Sequence, residues 1–124
     1  MDIREDCHYT TDHEWIRQEG DLSVVGITDF AQDQLGEVVY VELPTVGSVF
    51  SPGETFGVVE STKSVSDLYA PIAGEVVEVN VMLVDAPEQV NSSPFDEGWM
   101  VKIRATSGSE ELLSPEQYRE HVGG

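Results

Sequence analysis

The feature that most constrains this chain is the shortness of its apolar runs. HEWIR (13–17), DLSVVGI (21–27), EVVYVEL (37–43), FGVVEST (56–62), SVSDLY (64–69), EVVEVNV (75–81) and GWMVKIRA (98–105) are each five to eight residues long. They are rich in β-branched and aromatic residues, and Gly, Pro or acidic residues punctuate them. Runs of this length suit strands and are too short for core helices. About seven short strands with small helices at the edges predict a mainly β domain, a sandwich or flattened barrel.

The punctuation adds detail. Gln18-Glu19-Gly20 links the first two runs as a hairpin. Thr28 is a good N-cap for a short helix, TDFAQDQL, which Gly36 would end. Pro44 stops the EVVYVEL strand, and Pro52-Gly53 marks a turn. Gly74 opens EVVEVNV, with Val77, Val79 and Val81 expected on one face and Glu78 and Asn80 on the other. Residues 85–95 read as loop with a helical turn. Ser114-Pro115-Glu116-Gln117 matches a capping box with proline at the first helical position, so a C-terminal helix is expected over 114–122. Residues 1–8 are expected to fray, and residues 1–124 read as a single domain.

Charge narrows the partners. Six Lys plus Arg against 24 Asp plus Glu give a formal net charge of −18. Such a surface disfavours nucleic acid and anionic membranes, which attract cationic side chains. It favours partners with basic docking faces, and self-repulsion favours a monomer. One cysteine, Cys7, makes no internal disulfide and points to a reducing compartment. No segment has the length of a membrane span, and the acidic start resembles neither a secretory signal nor a transit peptide. A cytoplasmic protein is expected, or a mitochondrial matrix one if the chain is a trimmed organellar form.

Familiar catalytic motifs do not occur. There is no G-x-S-x-G, P-loop or G-x-G-x-x-G. His13-Glu14 begins like a zinc-protease motif, but Arg17 stands where the second histidine belongs. Cys7, His8 and His13 lack the four ligands and spacing of a structural zinc site, so no metal is expected. These observations argue against a hydrolase, kinase or dehydrogenase.

One residue stands apart. The chain has two lysines, and Lys63 lies between two short runs that suit a hairpin. At a hairpin tip its side chain would project into solvent, as loop tips that carry function do. An exposed amine gains no desolvation and is a poor nucleophile, but it is a good handle for acylation by another enzyme. Acylation would remove the charge and set a cofactor on a long flexible stem, raising its effective concentration near docked enzymes. Biotin and lipoate are carried this way. Biotin carriers flank the lysine with methionine, whereas here Thr62 and Ser64 flank it, with acidic Glu60 and Asp67 nearby. The balance favours lipoate.

The chain resembles the H proteins of the glycine cleavage system. The resemblance runs from about Tyr9 to Val122. It is carried by YTTDHEW, VGITDFAQDQLGEVVYVELPTVG, FGVVESTKSVSDLYAPIAGEVVEVN, VNSSPFDEGWM and EELLSPEQY, in order. It departs at Val81-Met82, where an acidic residue usually follows the asparagine, and at Thr62-Lys63-Ser64, where Val-Lys-Ala is commoner.

The resemblance implies a flattened β-barrel or sandwich of lipoyl-domain type with short peripheral helices. It implies lipoate in amide linkage on Lys63 and a carrier that is itself no enzyme. Three enzymes would share it: a pyridoxal-phosphate glycine decarboxylase that loads an aminomethyl group, a tetrahydrofolate-dependent aminomethyltransferase, and a flavin-containing dihydrolipoamide dehydrogenase. The lipoate-attaching enzyme would read Glu60, Ser61, Ser64 and Asp67. The loaded arm would swing into a cleft to which His13, Glu14 and Trp15 contribute, with Glu14 paired to its ammonium. Four other readings compete: a lipoyl domain of a 2-oxoacid dehydrogenase complex, a biotin carrier, an H-like protein relaying lipoate to other complexes, and an acidic interaction module without cofactor.

Overall fold

The computed structural model describes residues 2–109 and 112–123; Glu110 and Glu111 of the EELLSPEQY block lie outside the described residues. Nine strands and four short helices are present among them. The first part of the chain contains β1 (His8–Tyr9), β2 (Glu14–Glu19), β3 (Leu22–Ile27), α1 (Asp29–Leu35), β4 (Val38–Glu42) and β5 (Val49–Phe50). Then come β6 (Thr55–Ser61), β7 (Val65–Tyr69), β8 (Ile72–Val79), α2 (Met82–Asp85), α3 (Gln89–Ser92), β9 (Val101–Ser109) and α4 (Pro115–His121).

The strands form two antiparallel sheets. One has six strands in the order β1-β2-β3-β9-β8-β5, the other three in the order β4-β6-β7. The expected mainly β architecture holds, as two sheets facing one another and not as a closed barrel. Alternate residues of a strand face opposite sides, and two cores result. Val25, Ile27, Val41, Val59, Leu68, Val76 and Ile103 fill the space between the sheets. Cys7, Tyr9, Trp15, Val24, Phe95 and Tyr118 form a second core on the other face of the larger sheet.

The helix ends follow from the sequence. Thr28 Oγ accepts the Ala31 N–H at 3.2 Å, and the Gly36 N–H donates to the Gln32 carbonyl at 3.0 Å. Ser114 and Gln117 form the reciprocal capping box, with Pro115 in the first turn of α4.

Several expectations need correction. The sequence predicts a strand opened by Gly74, with Val77, Val79 and Val81 on one face and Glu78 and Asn80 on the other. The strand begins at Ile72, and Ile72, Gly74 and Val76 are buried while Val81 is 70% exposed. An irregularity in pairing with β9 between Val76 and Glu78 breaks the alternation. Asn80, expected on a polar face, is buried, and its Nδ2 donates to the Glu97 and Trp99 carbonyls, each at 2.8 Å. The last strand starts at Val101 and not at Gly98, whose N–H closes a turn onto the Ser93 carbonyl.

Residues 2–8, expected to fray, make defined contacts. Cys7 is fully buried, His8 pairs with Ile16, and the Tyr9 hydroxyl both accepts the Arg4 N–H and donates to the Arg4 carbonyl. The Arg4 guanidinium pairs with Asp2 and Asp96 and lies over the Phe95 ring. Among the described residues, no helix is long and apolar enough to cross a membrane, and no cluster of three or more metal-ligating side chains is present.

Candidate functional site

Lys63 sits on the turn between β6 and β7. Glu60 pairs with Val65, so residues 61–64 make the turn. The Ser61 hydroxyl organises it by accepting the Lys63 N–H at 3.2 Å and the Ser64 N–H at 3.1 Å. The Ser61 N–H closes onto the Ser64 carbonyl at 2.8 Å, and the Thr62 N–H donates to the Glu37 carbonyl. This last bond pins the tip to the segment that follows α1. The Lys63 side chain is exposed.

The lysine stem lies across Gly36. A Cβ on Gly36 would stand 3.1 Å from Lys63 Cε. Gly36 ends α1 at φ +82°, a conformation that side chains other than hydrogen disfavour. Asn91 holds this floor in place. Its Nδ2 donates to the Gly36 carbonyl at 2.8 Å and to Gln32 Oε1 at 3.0 Å, and its Oδ1 accepts the Val38 N–H at 2.8 Å. One amide thus joins the end of α1 to the start of β4 beneath the lysine.

Beside the hairpin lies a cleft of about 430 Å³. Residues 64–68 form one wall, and Phe30, Ala31, Gln34 and Leu35 of α1 form the other. Asp12, His13 and Glu14 lie at its end. Glu14 is only 2% exposed. Its Oε2 accepts the Tyr69 N–H at 2.7 Å, and its Oε1 accepts the Thr10 hydroxyl at 3.4 Å. His13 packs on Phe30, with ring centroids 4.6 Å apart. Burial, reinforced by His121, holds its pKa below the usual histidine range.

The expected site residues therefore divide. His13, Glu14, Ser64 and Asp67 line the cleft. Glu60 and Ser61 belong to the hairpin but not to the cleft lining. Trp15 is a correction: it is fully buried in the second core, against Phe95 at 5.7 Å, with its indole N–H donating to the Pro94 carbonyl. The cause is the alternation of β2, which sends Glu14 and Trp15 to opposite faces. The sequence reading misses Phe30, Leu35 and Asn91. It takes Gly36 only as a helix stop, since nothing close in sequence marks its approach to Lys63.

Charge around the tip is informative. Of the six lysines and arginines, Arg4, Arg17, Lys102 and Arg119 are ion-paired to carboxylates. Lys63 and Arg104 have no ion pair among the described residues. An exposed amine beside a half-apolar cleft that ends in a buried carboxylate can anchor a long arm. The cleft can also receive the arm's end when that end is apolar with a cationic tip.

The comparisons agree with this geometry. A family model described as glycine cleavage H-protein matches residues 7–123. The chain is 56% identical over 124 residues to a glycine cleavage system H protein of Anaeromyxobacter sp. (strain K), covering 98% of this chain and 97% of that one. It is 55% identical to the one of Thermus thermophilus, covering 97% and 95%. Among solved structures it is similar to a glycine cleavage system H protein from Mycobacterium marinum, with a TM-score of 0.93, 44% identity and coverage of 98% of this chain and 100% of that one. With nearly the whole chain matched in sequence and in fold, this protein belongs to the glycine cleavage H-protein family.

Proposed function

We propose that this chain is the lipoyl carrier of glycine cleavage, with lipoate held as an amide on Lys63. The observation that carries the reading is the pairing of an exposed Lys63 on the hairpin tip with the adjacent cleft ending at buried Glu14. The residues fit the group: the lysine stem already lies along Gly36, which has no side chain to obstruct it. When bound, lipoate supplies a disulfide that opens reversibly and takes up the one-carbon amine of glycine together with two electrons.

The chain's own residues hold, orient and shelter. Lys63 provides the tether, and Ser61 rigidifies its base through the turn hydrogen bonds. Phe30, Ala31 and Leu35 offer an apolar wall that excludes water. Glu14 and Asp67 offer carboxylates to a cationic arm end. Glu60, Ser61, Ser64 and Asp67 present the hairpin to the lipoate-attaching enzyme. The chain acts as the shared substrate of a pyridoxal-phosphate decarboxylase, a tetrahydrofolate-dependent aminomethyltransferase and dihydrolipoamide dehydrogenase. A net charge of −18 suits basic docking faces on such partners.

Intact mass and peptide mapping after expression with lipoate test the reading. One lipoyl amide on Lys63 is the expected result, absent in Lys63→Arg, whose guanidinium forms no such amide. An unmodified chain in the presence of an active attaching enzyme would overturn it. Reconstituted glycine decarboxylation then separates glycine cleavage from a lipoate relay.

A further inference from the structure

We propose that the Tyr118 hydroxyl, delivered by the C-terminal helix, positions two sides of the arm cleft at once by bridging His13 and Thr28. The proposal rests on the carrier reading above and assigns a role to the C-terminal EQY segment, which that reading leaves idle.

Tyr118 is fully buried, and its ring stacks on Tyr9 with centroids 4.5 Å apart and planes 8° from parallel. Stacking fixes the ring, so the hydroxyl is aimed independently of its own hydrogen bonds. That hydroxyl stands 2.7 Å from Thr28 Oγ and 3.0 Å from His13 Nδ1. Thr28 is the N-cap of α1, the helix whose Phe30, Ala31 and Leu35 form the apolar wall. His13 lies at the end of the cleft, directly before Glu14.

The hydrogens have a consistent order. Thr28 Oγ accepts the Ala31 N–H, which leaves its own hydrogen free to donate to Tyr118. Tyr118 then donates to His13 Nδ1, which requires a neutral ring protonated on Nε2. Burial and His121 favour that neutral ring.

His13 also needs holding. Its φ of +67° is uncommon for a residue with a side chain, and such conformations persist only where the surroundings over-determine them. The ring is held from three sides, by Phe30, by His121 at 5.4 Å and by the Tyr118 hydroxyl. The His13 carbonyl in turn accepts the Thr28 N–H at 3.0 Å, so the two cleft elements meet at one point.

Tyr118→Phe removes the hydroxyl and keeps the stacked ring. In the unmodified chain, nitrogen NMR should show the His13 Nδ1 signal and the Ala31 amide moving together. If neither moves, the bridge does not hold the cleft and the proposal fails, whether or not Lys63 carries lipoate. In the lipoylated chain loaded by the decarboxylase, loss of the one-carbon unit to water should speed up about fivefold, the factor given by one hydrogen bond of ordinary net strength. Ser114→Ala is the control, because it weakens the cap of α4 while keeping the hydroxyl. Unchanged loss in Tyr118→Phe, or equal acceleration in Ser114→Ala, would overturn the proposal. If Tyr118→Phe does not fold, His13→Asn reads the same contact from its other end, since asparagine tolerates the left-handed backbone. Faster loss in that variant supports the bridge, and unchanged loss overturns it. Absence of lipoate on Lys63 would instead count against the carrier reading.

Discussion

Glu14 Oε2 on β2 accepts the backbone N–H of Tyr69 on β7 at 2.7 Å, so one buried carboxylate joins the two sheets at the end of the cleft. The same group lines the cleft. It therefore has a structural contact and a surface role, and substitution can separate them.

Glu14→Gln keeps an oxygen to accept the Tyr69 N–H and should melt close to the parent. Glu14→Ala leaves that N–H without its acceptor and should cost about 1–3 kcal/mol. Both should hold a cationic arm end poorly. Urea unfolding compares the two stabilities. Equal stability of the Ala and Gln variants would show that the bridge does not join the sheets.

Gly36→Ala meets two obstacles, a φ of +82° and a Cβ 3.1 Å from Lys63 Cε. With ψ at −157° the residue lies in a region almost confined to glycine, so the backbone alone should cost about 1–3 kcal/mol, and the Lys63 stem must shift. The denaturation midpoint should fall, and the Lys63 ε-methylene NMR signals should move. A variant with both unchanged would exclude the Gly36 floor.

His13 gives the fold a pH slope. Its folded pKa lies below the unfolded value, through burial first and His121 second, with Asp12 opposing. The unfolded chain then binds more protons, so stability is full above the ordinary histidine pKa of about 6.5 and falls as pH drops below it. His13→Asn should flatten the rise in melting temperature between about pH 5 and about 7. An unchanged slope would assign it to other groups.

Cys7 should be inert in the folded chain. Burial first, and Asp6 second, push its thiol up to about 12. A thiol reagent at about pH 8 should label it only on unfolding, because thiolate is the reactive form. Rapid labelling of the native chain would mean that the N-terminal segment opens.

Much of this architecture is legible in the sequence because local chemistry dictates it. The α1 caps at Thr28 and Gly36, the Ser114 capping box and the β6–β7 hairpin each depend on residues close in sequence. The misread positions depend on distant partners. The buried face of β8 follows an irregular pairing with Ile103 and Lys102 that alternation alone does not announce. Asn91 reads as a loop amide until α1 and β4 come beside it. Glu14 is not misread, but only the family resemblance singles it out among the 24 acidic residues; its burial comes from the approach of β7. Trp15 reads as one block with its neighbours, although period-two alternation sets it opposite Glu14.

That the Lys63 ammonium makes no ion pair among the described residues has a consequence for the proposed amide. Converting that amine to an amide breaks no ion pair, and the change falls on a solvated turn. Bare and modified chains should therefore unfold at nearly the same temperature. On the proposed function, the scaffold would then be blind to whether it has been equipped, and the survival of the fold would carry no record of the modification.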